Sequence, residues 1–413
     1  MSKQPYLHIP RPTARPGEAP DFSYLNLSPA GAVDRPPIDT RAADIEHLAL
    51  GLVRVLDEDH KALGPWNPDL DKETLLRALR LMVLTRAYDE RMQRVQRQGK
   101  ITFYMQALGE EAVSIGQGLA FEDGDMLFPA YRNQGLYIMR DTGLVDMMCQ
   151  CLSNSRDMCK GRQMPIFYQN RQRNLFTISG NLATQYPQAV GWAMGAAIKG
   201  ESNIAASWVG DGSTAEADFH YALTFAAVYN APVILNVTNN QWAISTFQGF
   251  AGGERRPFAA RGLGLGIPGI RVDGNDLLAT YAVTKWAADR ARNHGGPTLI
   301  ELVTYRGGAH STSDDPSRYR PKDEWQAFPL GDPVQRLVQH LVRLGHWSED
   351  EQRGLEEEMK GSVSEAWKEA VSYGTLTDPP FLDVSLMFED VFAETPDYLA
   401  AQRDKLLRMG ETG

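Results

Sequence analysis

Cysteine is scarce: the 413 residues include three, Cys149, Cys151 and Cys159. An odd count in a long chain without an apolar leader argues against a disulfide framework, and C-x-C without a second pair or a nearby histidine argues against a zinc centre. The three are expected to be free thiols. Also missing is any run of the roughly 18 apolar residues that a membrane helix needs, or the apolar stretch of a secretory signal. No membrane association is expected, and the cytoplasm is the expected location. Positive charge is short as well: 42 Lys and Arg against 52 Asp and Glu give a net charge of −10. That removes the electrostatic basis for nonspecific nucleic-acid binding. Any anionic ligand must therefore be held by a few placed groups. No fixed-period repeat stands out, so solenoid and coiled-coil readings gain no support.

What is present is an ordinary globular composition, 43% hydrophobic, enough for one large core or two smaller ones. Residues 1–70 are rich in proline, with few apolar stretches, and read as an extended arm that is either disordered or laid along a partner. From Asp71 to Gln98, Leu75, Leu76, Leu79, Met82, Val83 and Tyr88 recur at helical spacing, and Gly99 follows where a helix stops. Short apolar runs at 204–210, 233–238 and 299–305 then alternate with helix-like stretches at 214–229 and 276–292. This predicts an α/β fold over 71–330, a mostly parallel sheet with helices on both faces. Residues 331–413 are charged and helix-favouring, and read as peripheral helices.

The informative segment is 203-NIAASWVGDGSTAEADFHYALTFAAVYNAPVILNVTNNQWAIS-245. Between Gly212 and Asn239 lie 26 positions, 213 to 238. That is enough for a crossover between neighbouring parallel strands, which need about a dozen or more. Asp211 and Asn240 then meet at the carboxyl ends of two strands, where open α/β sheets bind ligands. Gly210 and Gly212 let the chain turn and leave room for a phosphate at the next helix's N–H groups. The Asp211 carboxylate, the Asn240 amide oxygen and a main-chain carbonyl near Trp242 are three hard oxygen ligands. Magnesium, which wants six oxygens, could complete its shell with diphosphate and water. A lone G-D-G is most often only a turn. Joined to Asn239-Asn240 at this distance, it resembles the thiamine diphosphate fingerprint.

Over about residues 70 to 330 the chain is similar to the alpha subunits of branched-chain 2-oxo acid dehydrogenases. The similarity is carried by 101-ITFYMQALGEEA-112, 131-YR-132, 179-SGNLATQYPQAVGWAMG-195, 239-NNQWAIS-245, 271-RVDGND-276 and 306-RGGAHSTSDDPSRYR-320. The run 310-HSTSDD-315 resembles the branched-chain type more than pyruvate dehydrogenase alpha subunits. The resemblance implies the diphosphate-binding half of a thiamine diphosphate fold. It implies Tyr131 and Arg132 on the cofactor diphosphate, Leu182 beneath the cofactor, and main-chain atoms near Gly180 and Leu182 at the aminopyrimidine. Phe103, with Tyr104 and Leu182, would wall a pocket for a branched side chain. His310 would face the reacting carbon and support acyl transfer, as an imidazole titrating near neutrality. A potassium ion is a further candidate, at Ser179, Asn181, Thr184 and Gln185.

Two positions, Thr238 and Pro321, depart from the mitochondrial pattern. Thr238 stands where an arginine often precedes the Asn pair. Ser311 matches a serine that mitochondrial kinases phosphorylate, but Pro321 stands at their second site, which argues against kinase control. The resemblance further implies an alpha2-beta2 heterotetramer, in which a beta subunit supplies the activating glutamate, so the chain alone is expected to be inactive. Gly191 and Gly195, four apart in a small-residue helix, would allow close helix packing. The acyl product would pass to a lipoyl domain of the dihydrolipoyl acyltransferase. Rival readings are an alpha subunit acting on pyruvate or acetoin, and a noncatalytic phosphate-binding module.

Overall fold

The structure is a computed structural model and describes residues 7–410. Its first helix is α1 (Lys72–Arg97), where the Asp71 carboxylate caps the first turn by accepting the Thr74 N–H at 2.8 Å. Leu75, Leu79, Met82 and Val83 are buried along one face, and Gly99 turns the chain out at φ +73°. Then follow α2 (Glu111–Gly118), β1 (Met126–Phe128), α3 (Gln134–Met139), α4 (Leu144–Leu152) and α5 (Gln185–Lys199). The fingerprint segment forms β2 (Ala205–Gly210), α6 (Ala217–Val228) and β3 (Val233–Asn239). A short hairpin, β4 (Trp242–Ala243) and β5 (Thr246–Phe247), precedes β6 (Gly269–Asp273), α7 (Leu277–Arg292) and β7 (Thr298–Val303). The chain ends in α8 (Pro333–Arg343), α9 (Glu349–Ser372) and α10 (Asp397–Gly410).

The main sheet runs β1-β2-β3-β7-β6, all parallel, as expected from strands alternating with helices. Its two faces feed two cores. On β3, Val233, Leu235 and Val237 pack with α5 and α6, whereas Ile234 faces the larger core built with α1, α2 and α7. Where α2 crosses α7 there is no room for a side chain: a Cβ on Gly116 would lie 2.0 Å from Thr280 Oγ1. Two strands escape the sequence reading. Residues 126–128 are too few to show a period, and β6 interrupts its apolar run with Arg271, whose Nη1 donates to the Asn26 carbonyl at 2.6 Å.

Residues 7–70 are largely irregular, but between Phe22 and Trp66 they pack on this chain itself. Val53 pairs with Val272 as an extra parallel bridge on β6. Asp276 Oδ2 accepts the N–H groups of Val55 and Leu56 at 2.9 and 2.6 Å. Leu48, Leu52, Val53 and Trp66 are buried, and Trp66 meets Trp286 edge-on at 6.4 Å. A segment that contributes single side chains to another element's core needs no periodicity of its own, which is why the pattern hid it. The C-terminal helices also reach the core: Leu355, Met359 and Val363 of α9 are buried.

Replacing Trp66 with alanine should therefore destabilise the whole domain by about 3 to 5 kcal/mol, as for other buried large-to-small changes. Thermal melting checks this; an unchanged transition would mean that the segment only rests on the surface.

Candidate active site

Gly210 of β2 lies opposite Thr238 of β3 in parallel register, so Asp211 and Asn240 leave the sheet at the same edge. A cavity of about 520 Å³ opens there. Its floor is Gly210, Asp211, Gly212 and Asn240, with Trp242 from the hairpin. Tyr131, Arg132 and His310 line it too, and so do Gly180, Leu182 and Phe103. Sequence positions spread over more than two hundred residues thus meet in one place. A Cβ at Gly212 would lie 2.3 Å from that of Ala243, so glycine is needed for the hairpin to close over the turn.

Asp211 is almost wholly buried, and its Oδ2 has no hydrogen-bond partner. Burial pushes its carboxyl up to about 7, against the pull of the Arg306 guanidinium. An unpaired buried carboxylate oxygen is costly, and a cation relieves that cost. Asn240 is turned by its Nδ2, which donates to Glu110 Oε1 at 2.6 Å; its Oδ1 accepts only a long 3.4 Å bond from the Trp242 N–H. The Trp242 carbonyl accepts from Arg306 Nη1 at 2.8 Å and keeps a second lone pair. The three expected oxygen donors are adjacent, and one of them is unsatisfied.

His310 is held by cations. Arg132 Nη2 donates to its Nδ1 at 3.0 Å and to its carbonyl at 2.6 Å, while Arg306 Nη1 stands 3.5 Å from the same ring nitrogen. The His310 N–H donates to Asp314 Oδ2 at 2.7 Å, and Tyr131 meets the imidazole edge-on. Burial first, then the two guanidiniums, push its pKa down to about 2. Titration near neutrality is therefore corrected. His310 is a neutral imidazole with Nδ1 as acceptor, which leaves Nε2 to carry the proton.

Tyr104 is also corrected. It is fully buried and absent from the cavity lining; its hydroxyl donates to Asp89 Oδ1 at 2.5 Å. In an extended segment alternate side chains face opposite ways, so Phe103 and Met105 line the cavity and Tyr104 faces the core. Of the candidate potassium ligands, Ser179 Oγ accepts the Asn181 N–H, and Thr184 Oγ1 donates to the Asn181 carbonyl. Gln185 Nε2 donates to the Trp208 carbonyl, leaving a buried, unpartnered Oε1. Thr238, the departure from the mitochondrial pattern, is buried, and its carbonyl accepts the N–H of both Asp211 and Asn240.

Two functional residues had no role at the sequence level. Arg306 spans the site: its Nη2 donates to the Ile244 carbonyl at 2.9 Å, and burial beside Arg132 pulls its guanidinium down to about 10. Glu110 stands 3.9 Å from Arg132 and orients Asn240; burial raises its carboxyl. Both lie inside the quoted motifs, but their spacing to Asn240 is set by the fold alone. Phe167 and Met164 join the apolar wall from an irregular loop that offered no periodic signal.

A parallel α/β domain with a glycine turn, an unsatisfied buried carboxylate and two guanidiniums at one sheet edge defines an enzyme of the diphosphate-cofactor-binding class. Residues 79–378 match the family model described as dehydrogenase E1 component, and residues 3–43 match that of the 2-oxoisovalerate dehydrogenase E1 alpha subunit N terminal. The 2-oxoisovalerate dehydrogenase subunit alpha of Pseudomonas aeruginosa is 58% identical over 97% of this chain and 98% of its own length. The human mitochondrial subunit alpha is 39% identical over 87% of this chain and 80% of its own, and subunit alpha 1 of Arabidopsis thaliana is 37% identical over 84% and 73%. The chain belongs to the dehydrogenase E1 component family, in its 2-oxoisovalerate dehydrogenase alpha-subunit branch.

The carboxyl of Asp211 gives a pH test. The unfolded chain releases this proton near its ordinary value of 3.8 and the fold only near about 7, so stability falls as pH rises through that window and stays lowered above it. Asp211→Asn in the cofactor-free chain should raise the melting temperature at pH 8 by a few degrees and leave it unchanged at pH 4. An equal shift at both pH values would show that ionisation is not the cause.

Proposed function

We propose that this chain is the diphosphate-binding half of a thiamine-diphosphate-dependent decarboxylase acting on branched-chain 2-oxo acids. The acyl group and the reducing electron pair then pass to a lipoyl disulfide carried by the dihydrolipoyl acyltransferase. Family membership implies the cofactor. The single observation that carries it is the unpartnered Asp211 Oδ2 beside Gly210, Gly212 and Asn240, at the mouth of an apolar-walled cavity. Thiamine diphosphate, when bound, supplies a ring that takes up the electron pair released as carbon dioxide leaves.

This chain's own residues bind, orient and hold protons. Asp211 and Asn240, with the Trp242 carbonyl, would hold Mg2+ through oxygen ligands. Arg132 and Tyr131 present a guanidinium and a hydroxyl to phosphate oxygens, and Arg306 supplies positive charge at this edge although Thr238 does not. Arg132 and Arg306 also fix His310 in one tautomer, so that its Nε2–H acts as a hydrogen-bond donor toward the reacting centre without carrying charge. Phe103, Met105, Phe167 and Leu182 exclude water from the substrate side and suit a branched aliphatic group. The Gln185 Oε1 left unpartnered supports a hard cation such as potassium in the 179–185 loop. These residues do not include the activating glutamate expected of a beta subunit.

A beta subunit in an alpha2-beta2 assembly is supported by an uncovered apolar row along α6 and its C-cap Tyr229. Tyr221, Phe225, Val228 and Tyr229 are exposed by 62%, 53%, 71% and 59%, too much apolar surface for one face of a free monomer. On α5, a Cβ added at Gly191 or Gly195 would meet nothing within 4 Å outside the helix itself, leaving room for a partner helix.

Decarboxylation of 2-oxoisovalerate, with thiamine diphosphate and Mg2+, should appear only when the chain is coexpressed with a beta subunit, and should vanish in Asp211→Ala. Activity of the chain alone would overturn the half-site reading, and a higher kcat/KM for pyruvate would overturn the substrate. Phe225→Glu should weaken subunit association at least about tenfold by analytical ultracentrifugation, the scale of an interface hot spot.

A further inference from the structure

Part of the apolar wall of the cavity comes from a segment that no regular element holds. Residues 99–108 run from α1 to α2 without helix or strand, yet Phe103 and Met105 both face the cavity. Behind them, Tyr104 turns inward. Its hydroxyl donates to Asp89 Oδ1 at 2.5 Å, and Asp89 Oδ2 accepts the backbone N–H of Ala107, also at 2.5 Å. Asp89 lies on the buried face of α1 and does not line the cavity.

Other contacts complete the hold. Gln134 Nε2 donates to the Met105 carbonyl at 2.6 Å, and Arg132 Nη1 to the Gln106 carbonyl at 2.7 Å. Tyr104 N–H donates to Thr312 Oγ1 and its carbonyl accepts the Thr312 N–H, which joins the segment to the loop of His310. Among the described residues, Asp89 alone bonds with one side chain to two residues of the segment, Tyr104 and Ala107, three apart. A carboxylate is an expensive side chain to bury, and an apolar residue would fill the same space without that cost. Two acceptor oxygens aimed at two donors are what a carboxylate offers here and an amide does not, since an amide has one acceptor oxygen.

We propose that Asp89 is a specificity-positioning residue: its two oxygens clamp Tyr104 and Ala107, and so fix Phe103 and Met105 as the wall against which the branched side chain of the substrate seats. This rests on the substrate reading given above. Wall placement acts on the side chain equally in ground and transition states, so its loss appears in KM rather than kcat.

The test uses the full chain coexpressed with a beta subunit, at saturating thiamine diphosphate and Mg2+. Asp89→Asn and Tyr104→Phe should each raise KM for 2-oxoisovalerate by about fivefold or more, with kcat held within about twofold. KM for pyruvate, whose methyl group is too short to reach the wall, should change less, and hydrogen exchange of the 103–107 amides should accelerate. Wild-type KM and wild-type exchange in both variants would overturn the clamp. If Asp89→Asn does not fold, Tyr104→Phe, which loses a single hydroxyl, decides. Should the unmodified enzyme show no preference for 2-oxoisovalerate over pyruvate, the substrate reading fails instead; exchange at 103–107 then decides the clamp, and unchanged rates in the variants overturn it.

Discussion

The parallel pairing of β2 with β3 fixes where everything else must go. Because Gly210 sits opposite Thr238, the carboxylate after one strand and the carboxamide after the next are delivered to the same edge. The pairing is buried on both faces, by α5 and α6 on one side and by α2 and α7 on the other. A one-residue register slip would send every side chain of the slipped strand to the opposite face. The hairpin that follows is forced to close over Gly212, and its Trp242 and Ile244 carbonyls become the seats for Arg306.

Around that edge the protein concentrates charge that it does not neutralise pair by pair. Arg132 and Arg306 are buried, as are Glu110 and Asp211, and their contacts are staggered rather than matched. Arg132 stands 3.9 Å from Glu110 while its hydrogen bonds go to His310 and the Gln106 carbonyl. Asp211 keeps one oxygen without a partner. Such an arrangement of buried charge is costly in a bare fold. His310 shows the consequence: burial first, then the two neighbouring guanidiniums, hold its imidazole well below the usual histidine range.

The supports of this edge come from far along the chain. Asp276 caps α7 by accepting the Ala279 N–H, and its other oxygen holds Val55 and Leu56. Arg86 of α1 ties Glu111 of α2 to Asp332 before α8. Arg336 of α8 reaches Asp273 at the end of β6 at 2.7 Å. These contacts specify which elements meet; the Arg336–Asp273 pair is buried, so removing one partner there would leave a charge in the interior.

Much of this was legible in the sequence because it is local. The period of α1, the strand–turn–helix–strand order of 203–245, and the 26 positions that allow a crossover are properties of neighbouring residues. So were Asp211, Asn240, Tyr131, Arg132 and His310 as lining groups, since the motifs name them. Side-chain direction and electrostatic surroundings were not legible. Nothing in 101-ITFYMQALGEEA-112 says that Phe103 faces the cavity and Tyr104 the core, and nothing in 306-RGGAHSTSDD-315 says that His310 lies between two arginines. The N-terminal segment gave no core signal because it lends single side chains to a core built by others. A sequence carries the pattern of each element along its own axis; which partner lies across from a residue, and hence what that residue's charge and protonation will be, exists only once the elements have packed.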